Sequence, residues 1–293
     1  PNDTQALATH ATDDGFQRFL AGGVQVGNDD WYNKAGESFV LWNWMIETTG
    51  TGSSNEDGSI NTTATLVDTT LGLSISKYTG TGANATVGHG LGAVPKMMLI
   101  KNLDVTDAWA VYYGDNTDYL VLNTTAATVD DNTMWNDTTP TSSVFSIGSN
   151  HQVNASTEKY IAICFANSQF ISVGTYYGNG ASDGQRVYTI NSLGIPIQPR
   201  WIMVKRYDGS GEDWVIEDRP RDVYNEFDMK IAANSNAAES AKGANDAFRC
   251  DYLTGGFKLR TTGYTSNKAS STYTYLAIGT PMIDTDGRII TGG

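Results

Sequence analysis

The sequence predicts an all-β protein built as tandem antiparallel β-sandwich repeats with little helix. Composition is the first reason. Only 17% of the 293 residues are charged, and Thr, Asn, Ser and Gly dominate the polar remainder, a mix that suits pleated strands and tight turns better than helices. Patterning is the second. Apolar runs are short, and Gly and Asn clusters break the chain about every 8–12 residues, as in stacked sandwiches. In STYTYLAI, Tyr273, Tyr275 and Ala277 share one face while Thr272, Thr274 and Leu276 take the other. The third reason is self-similarity: TVGHGLGAVPKMMLIKN (86–102) returns as YTINSLGIPIQPRWIMVKR (188–206).

Taken in order, residues 1–48 carry the closing strands of an incomplete N-terminal repeat, VQVGNDDWYNKAGESFVLWNWM (24–45). They are preceded by TQALATHATDDGFQRFLAGG (4–23), which has weak helical patterning, as does NAAESAKGANDAF (236–248). Residues 49–75 form a Gly/Ser/Thr-rich connector with little apolar content before Leu66. Residues 76–167 are a first complete sandwich: Tyr78-Thr-Gly-Thr-Gly, a turn at Leu91-Gly92, Pro95, the strand MMLIK (97–101), Trp109, Asn123, Trp135 and closing strands over 145–166. Residues 168–279 repeat that order with Tyr177-Gly-Asn-Gly, Leu193-Gly194, Pro199, WIMVK (201–205), Trp214, Asn234, Phe248 and closing strands over 257–279. Residues 280–293 are a C-terminal tail.

Pro95 and Pro199 are expected where a strand begins, a position at which a missing N–H matters little, after glycines that let the chain turn sharply. The following run, apolar on both faces, reads as a central strand. Asn33, Asn154 and Asn267 are each followed six residues later by an aromatic, Phe39, Tyr160 and Tyr273, so the closing strands occur three times. In the incomplete copy VLWNWM places two tryptophans where an isolated strand pair is marginal. Completion is expected from an upstream part of the same polypeptide or from a neighbouring subunit's strands.

Nineteen basic against 32 acidic side chains give a net charge of −13, a surface that repels phosphate backbones and argues against nucleic acid as a partner. No segment approaches the ~20 apolar residues of a membrane span, so membrane insertion is not expected, and no signal peptide is visible. Cys164 and Cys250 are too few for a disulfide framework or a four-ligand zinc site; Cys164, inside YIAICFA, reads as a buried free thiol.

No catalytic constellation emerges. His89 in GHGLG is the most tempting base, yet the corresponding turn of the second unit has Asn191, so a histidine that hydrogen-bonds its own loop fits better. His10 and His151 lack a second histidine at metal-ligand spacing. Asp104 with Asp107, or Asp208 with Glu212 and Asp213, supply hard oxygen ligands for calcium but match no known ion-binding loop, so neither a metal nor a cofactor is expected. The sequons at Asn61, Asn123, Asn136 and Asn154 are expected by chance in so Asn- and Thr-rich a chain. Trp109 and Trp214 recur at equivalent places and read as core anchors. Trp31, Tyr32 and Tyr264 lie between closing strands, where rings can stack on a sugar face, and are the candidate ligand-binding residues.

HGLGAVPKMMLIKN, WNDTTPTSSVFSIGSNHQVNASTEKYIAICFA (135–166) and YYGNGASDG (176–184) resemble a repeated all-β domain found in tail-fibre and other virion-surface proteins of marine bacteriophages. The resemblance covers about residues 76–279 and the partial copy at 24–46. It implies a non-enzymatic virion structural protein on the particle surface, with other virion proteins as partners, a homo-oligomer with a trimer as the expected symmetry, and contact with host surface glycan. The tail TPMIDTDGRIITGG (280–293) replaces a further repeat, which leaves a shorter appendage, a head fibre or a capsid decoration as alternatives. A carbohydrate-binding module and a polysaccharide depolymerase are the readings from other classes; the latter needs two carboxylates facing each other across a cleft.

Overall fold

A computed structural model describes residues 4–5, 15–44, 46, 52–191, 193–226, 229–241, 248–283 and 288. It is 42% strand and 5% helix, well above the ordinary strand share of about 20–25%, so the all-β class holds. A hairpin of β1 (Phe16–Leu20) and β2 (Gly23–Val26) leads to the one-turn helix α1 (Asp30–Asn33). Next come β3 (Ala64–Asp68), β4 (Leu73–Thr79), β5 (Ala85–Gly88), β6 (Pro95–Asn102), β7 (Trp109–Tyr112), β8 (Asp118–Val121) and β9 (Val129–Asp130). They are followed by α2 (Asn132–Trp135), β10 (Val144–Ile147), α3 (His151–Asn154) and β11 (Lys159–Ala166). The rest comprises β12 (Ile171–Tyr177), β13 (Arg186–Tyr188), β14 (Ile197–Arg206), β15 (Val215–Asp218) and β16 (Met229–Ala232). It closes with β17 (Ser240–Ala241), β18 (Cys250–Leu253), β19 (Gly256–Leu259) and β20 (Thr272–Pro281).

Two large antiparallel sheets result. One has the order β3-β4-β11-β6-β7-β8-β9, the other β12-β20-β14-β15-β16-β17. From β4 onward the first order is matched strand for strand by the second. MMLIK and WIMVK occupy the corresponding strands β6 and β14, each hydrogen-bonded to its closing strand, β11 or β20. Small sheets, β5 with β10 and β13-β19-β18, complete the set.

The cores are layered, because successive residues of a strand point to opposite faces. On β6, Met98 and Ile100 join Phe145 and Ile147 of β10 in one core. Met97 and Leu99 face the second large sheet and meet Trp201 and Met203 of β14. The partners of those two on β14, Ile202 and Val204, enter a third core with Phe257 and Leu259 of β19. The two large sheets therefore pack against each other, and each also packs against a small sheet. A strand buried on both faces needs apolar residues at every position, which is why MMLI and WIMV are unbroken runs. Trp214 crosses the middle layer, fully buried, its Nε1 donating to Val121 O at 2.9 Å; each such large side chain contributes about 1.5–3 kcal/mol by burial.

Four expectations are corrected. The weak helical pattern of 4–23 gives way, over 16–26, to the β1–β2 hairpin, turned by Ala21-Gly22 with Gly22 at φ +87°; a two-residue turn with a positive φ selects a hairpin. Within 236–248, residues 240–241 form β17 and 242–247 lie outside the described residues. The connector 49–75 contains the edge strand β3, and Ile60 reaches the first core, since one apolar residue suffices to dock a polar loop. Pro199 is the third residue of β14 rather than its first, next to a register shift between Pro199 and Trp201; a bulge also tolerates proline because its ladder bond is already broken. Pro95 does begin β6.

Candidate functional site

One turn recurs three times around an asparagine. The side chains of Asp29 and Asn150 cap α1 and α3, accepting from Trp31 N at 2.9 Å and Gln152 N at 3.0 Å. The asparagine closing each turn reaches back six residues: Asn33 Nδ2 donates to Gly27 O at 2.9 Å, Asn154 Nδ2 to Gly148 O at 2.8 Å and Asn267 Nδ2 to Thr261 O at 2.8 Å. In two of the three, the asparagine also holds an opening segment. Asn154 Oδ1 accepts from Thr81 N at 2.7 Å and its Nδ2 donates to Ala83 O at 2.6 Å. Asn267 Oδ1 accepts from Asn179 N at 2.9 Å and its Nδ2 donates to Ala181 O at 2.9 Å.

The held segments need glycine for close approach. A Cβ on Gly80 would sit 2.1 Å from Ala155 O, and one on Gly178 2.2 Å from Lys268 O. The tyrosine two residues before each glycine stacks on the closing-strand tyrosine. Tyr78 lies 5.2 Å from Tyr160 at 14°, and Tyr176 lies 5.0 Å from Tyr273 at 11°. Tyr176, not Tyr177, is therefore the counterpart of Tyr78, a one-residue correction that moves the ring to the opposite face; Tyr177 is exposed.

The third turn has no such cover among the described residues. Residues 37–44 form no strand and pair with none among the described residues. Counting from the asparagine, Phe39, Leu41 and Trp42 correspond to Tyr160, Ala162 and Ile163. Phe39 is 51% and Leu41 60% exposed, whereas Tyr160 and Ala162 are fully buried. Phe19 is 69% exposed. Trp42, in contrast, packs into the middle layer as Ile163 does. Its Nε1 donates to Asp218 Oδ2 at 2.9 Å, an oxygen that Arg221 Nε also approaches at 2.6 Å, and Arg221 Nη1 lies 2.5 Å from Glu239 Oε1. Trp42 and Trp44 meet Trp201 edge-on at 6.1 and 5.7 Å. Beside them opens a groove of about 560 Å³ lined by Trp44, Trp201, Arg200, Arg219, Val223 and Thr280 among others. An aromatic floor with guanidinium and carboxylate rims can bind an apolar ring, a sugar face or an extended peptide.

The sequence candidates are scattered by comparison. Trp31 is 81% exposed on α1 with Tyr32 beside it, and Tyr264 is exposed in the turn before β20 with Lys268 Nζ 4.7 Å from its ring centre. His89 is fully buried. Its Nδ1 accepts from Leu91 N at 3.1 Å and its Nε2 faces Thr141 O at 3.2 Å, a geometry that requires the neutral Nε2–H tautomer. Burial lowers its pKa from the ordinary histidine value, partly opposed by the Thr141 bond and Asp57. Asn191 Oδ1 does the same work in the turn before β14, accepting from Leu193 N and Ile195 N.

The calcium candidates hold turns. Asp104 Oδ2 accepts from Lys159 N at 2.9 Å and Asp208 Oδ2 from Thr272 N at 3.1 Å, matching bonds at the first residues of β11 and β20. Asp107 pairs with His151 at 2.7 Å, Glu212 accepts from Thr265 Oγ1 and Asp213 from Asn234 Nδ2. Among the described residues no three His, Cys, Asp or Glu side chains gather as a metal site. Cys164 and Cys250 are buried free thiols, and burial pushes the Cys164 thiol up to about 12. Sequence reasoning missed Phe19, Leu41 and the β1–β2 hairpin. The signal was present: Leu20-Ala-Gly-Gly23 parallels Leu253-Thr-Gly-Gly256, which turns β18 into β19 with the same end register.

The chain belongs to the family described as domain of unknown function DUF7483, which matches residues 1–280. Neither a curated protein nor a solved structure matches it.

Proposed function

We propose that this chain is a non-enzymatic structural protein of a bacteriophage particle surface, a tail-fibre or similar appendage module that contributes to host attachment. In this reading residues 76–167 and 168–279 are two copies of one sandwich unit. The observation that carries it is the duplicated use of polar side chains. Asn154 and Asn267, Asp104 and Asp208, His89 and Asn191, and the pair Asn123 and Asn234 (which accept from Trp109 N and Trp214 N) each secure corresponding turns. Residues that could perform chemistry are thus committed to shape, as suits a rigid module assembled in series with others. A trimer about a fibre axis, and a place on the virion exterior, follow from the resemblance to virion-surface domains.

Mass spectrometry of purified particles tests this. The chain should appear in a fixed stoichiometry to the major capsid protein, and antibody against it should label the particle exterior. Particles that lack the chain would refute the reading. The groove at Trp44 and Trp201 favours a second reading, a carbohydrate-binding module. Glycan retention by the purified chain together with its absence from particles would select that one.

A further inference from the structure

The open surface at Phe19, Asn33 and Phe39 is, we propose, a binding seat for an extended polypeptide segment of the form Tyr-X-Gly-X-Gly, which adds to residues 37–44 by strand pairing. The inference rests on the reading of the units as copies, and not on where the protein resides. Its basis is that the same turn is seen twice with its segment in place and once with no such segment among the described residues.

In both occupied turns four contacts recur. The asparagine Oδ1 accepts an N–H from the residue after the first glycine, Thr81 or Asn179. The asparagine backbone O accepts from the second glycine, Gly82 or Gly180, at 2.8 and 2.9 Å. The first glycine donates to the chain just before the closing strand, Gly80 N to Glu158 O and Gly178 N to Ser271 O, both at 2.8 Å. The tyrosine ring stacks on the closing-strand ring, and its hydroxyl donates to a carbonyl one residue before the asparagine, Tyr78 to Val153 O at 2.6 Å and Tyr176 to Ser266 O at 2.9 Å.

The third turn presents the matching half of each contact. Asn33 Nδ2 is already aimed at Gly27 O as its counterparts are aimed at Gly148 and Thr261, while its Oδ1 has no partner among the described residues. The backbone acceptors at the positions of Asn154 O and Glu158 O are Asn33 O and Glu37 O, and the ring platform is Phe39, half exposed. Residues 37–44 pair with no strand among the described residues, and Trp42 anchors them to the middle layer through Asp218. An occupant would cover the apolar face at Phe39 and Leu41 and satisfy the edge, the two requirements of strand addition. Glycine is specified, because the close approach that excludes a Cβ at Gly80 comes from Ala155 O, whose counterpart here is Lys34 O.

The test uses the full chain and a fluorescent synthetic peptide of residues 76–85, Ser-Lys-Tyr-Thr-Gly-Thr-Gly-Ala-Asn-Ala, followed by anisotropy. Saturable one-to-one binding is expected, weakened about tenfold or more by Asn33→Ala in the protein, as befits loss of a paired hydrogen bond, and abolished by Gly80→Val in the peptide. Absence of saturable binding overturns the proposal. So does binding that Asn33→Ala leaves unchanged, because the peptide would then be displacing β4 in the complete unit. A concentration-dependent dimer that excludes the peptide would assign the surface to a second copy packed face to face and likewise refute it. Failure of the particle experiment would leave these outcomes untouched.

Discussion

Replacing each of the three turn asparagines by alanine should produce two large effects and one small one. Asn154 is fully buried and its side chain makes three short bonds, to Thr81 N, Ala83 O and Gly148 O, at 2.6–2.8 Å. Thr81 and Ala83 are exposed residues whose freed groups water can reach, but Gly148 is buried. Two partly rescued bonds at about 0.5–1 kcal/mol each and one orphaned carbonyl at about 1–2 kcal/mol give a loss of about 2–4 kcal/mol. Asn267, with bonds to Asn179 N, Ala181 O and Thr261 O, should lose a similar amount. Asn33 makes one bond at an exposed position and should lose less than about 0.5 kcal/mol. Urea unfolding followed by tryptophan fluorescence reads the difference: the midpoint should fall for Asn154→Ala and Asn267→Ala at unchanged slope and stay put for Asn33→Ala. In heat, about 2–4 °C per kcal/mol predicts a fall of roughly 4–16 °C for the first two. Equal shifts for Asn33→Ala and Asn154→Ala would refute the reasoning, since they would mean that the third turn is already filled or that the held segments contribute nothing.

His89 gives a signed pH effect. Its folded pKa lies below the unfolded value of about 6.5, so stability is complete above that pH and is lost as pH falls toward the folded value. His89→Asn, which copies Asn191, should flatten the urea midpoint between pH 7 and pH 5 (on the order of these values); an unchanged slope against pH would count against the neutral tautomer. The stacked tyrosines act at the other end. Burial pushes Tyr273 up to about 12 and raises Tyr78, Tyr160 and Tyr176 above the ordinary range, so the stability they supply is present below about pH 10 and disappears as pH rises through the folded values. Phenolate absorbance should show a class that ionises only with unfolding, and smooth titration of all tyrosines near their ordinary value would contradict the stacking. Gly80→Val should cost about 3 kcal/mol or more through the clash with Ala155 O, measured as insoluble expression or a collapsed urea midpoint; a variant as stable as the parent would show that the turn can relax. Host envelope polysaccharides incubated with the chain should release no oligosaccharide, and release abolished by one Asp or Glu substitution would make the protein an enzyme.

Local pattern settled much of this protein. Alternation in STYTYLAI assigned the faces of β20 correctly, the doubled phrase marked β6 and β14 as corresponding interior strands, and the spacing from Asn to aromatic located the three turns. Each depends on neighbours close in sequence or on comparison of the chain with itself. Tertiary structure decided what such comparison cannot reach. MMLI and WIMV are apolar on both faces because the two large sheets pack on each other, and a run of apolar residues does not say what covers its second side. The exchange of Tyr177 for Tyr176 arose because adjacent tyrosines are alike in sequence but point to opposite faces of β12. Trp42 meets Asp218 at a sequence separation of 176, a contact that depends on how the sheets are layered and that no local spacing encodes. The exposure of Phe39 and Leu41 is decided in the same way: their sequence equivalents are core residues, and only the absence of a covering strand beside them in the described structure makes them surface.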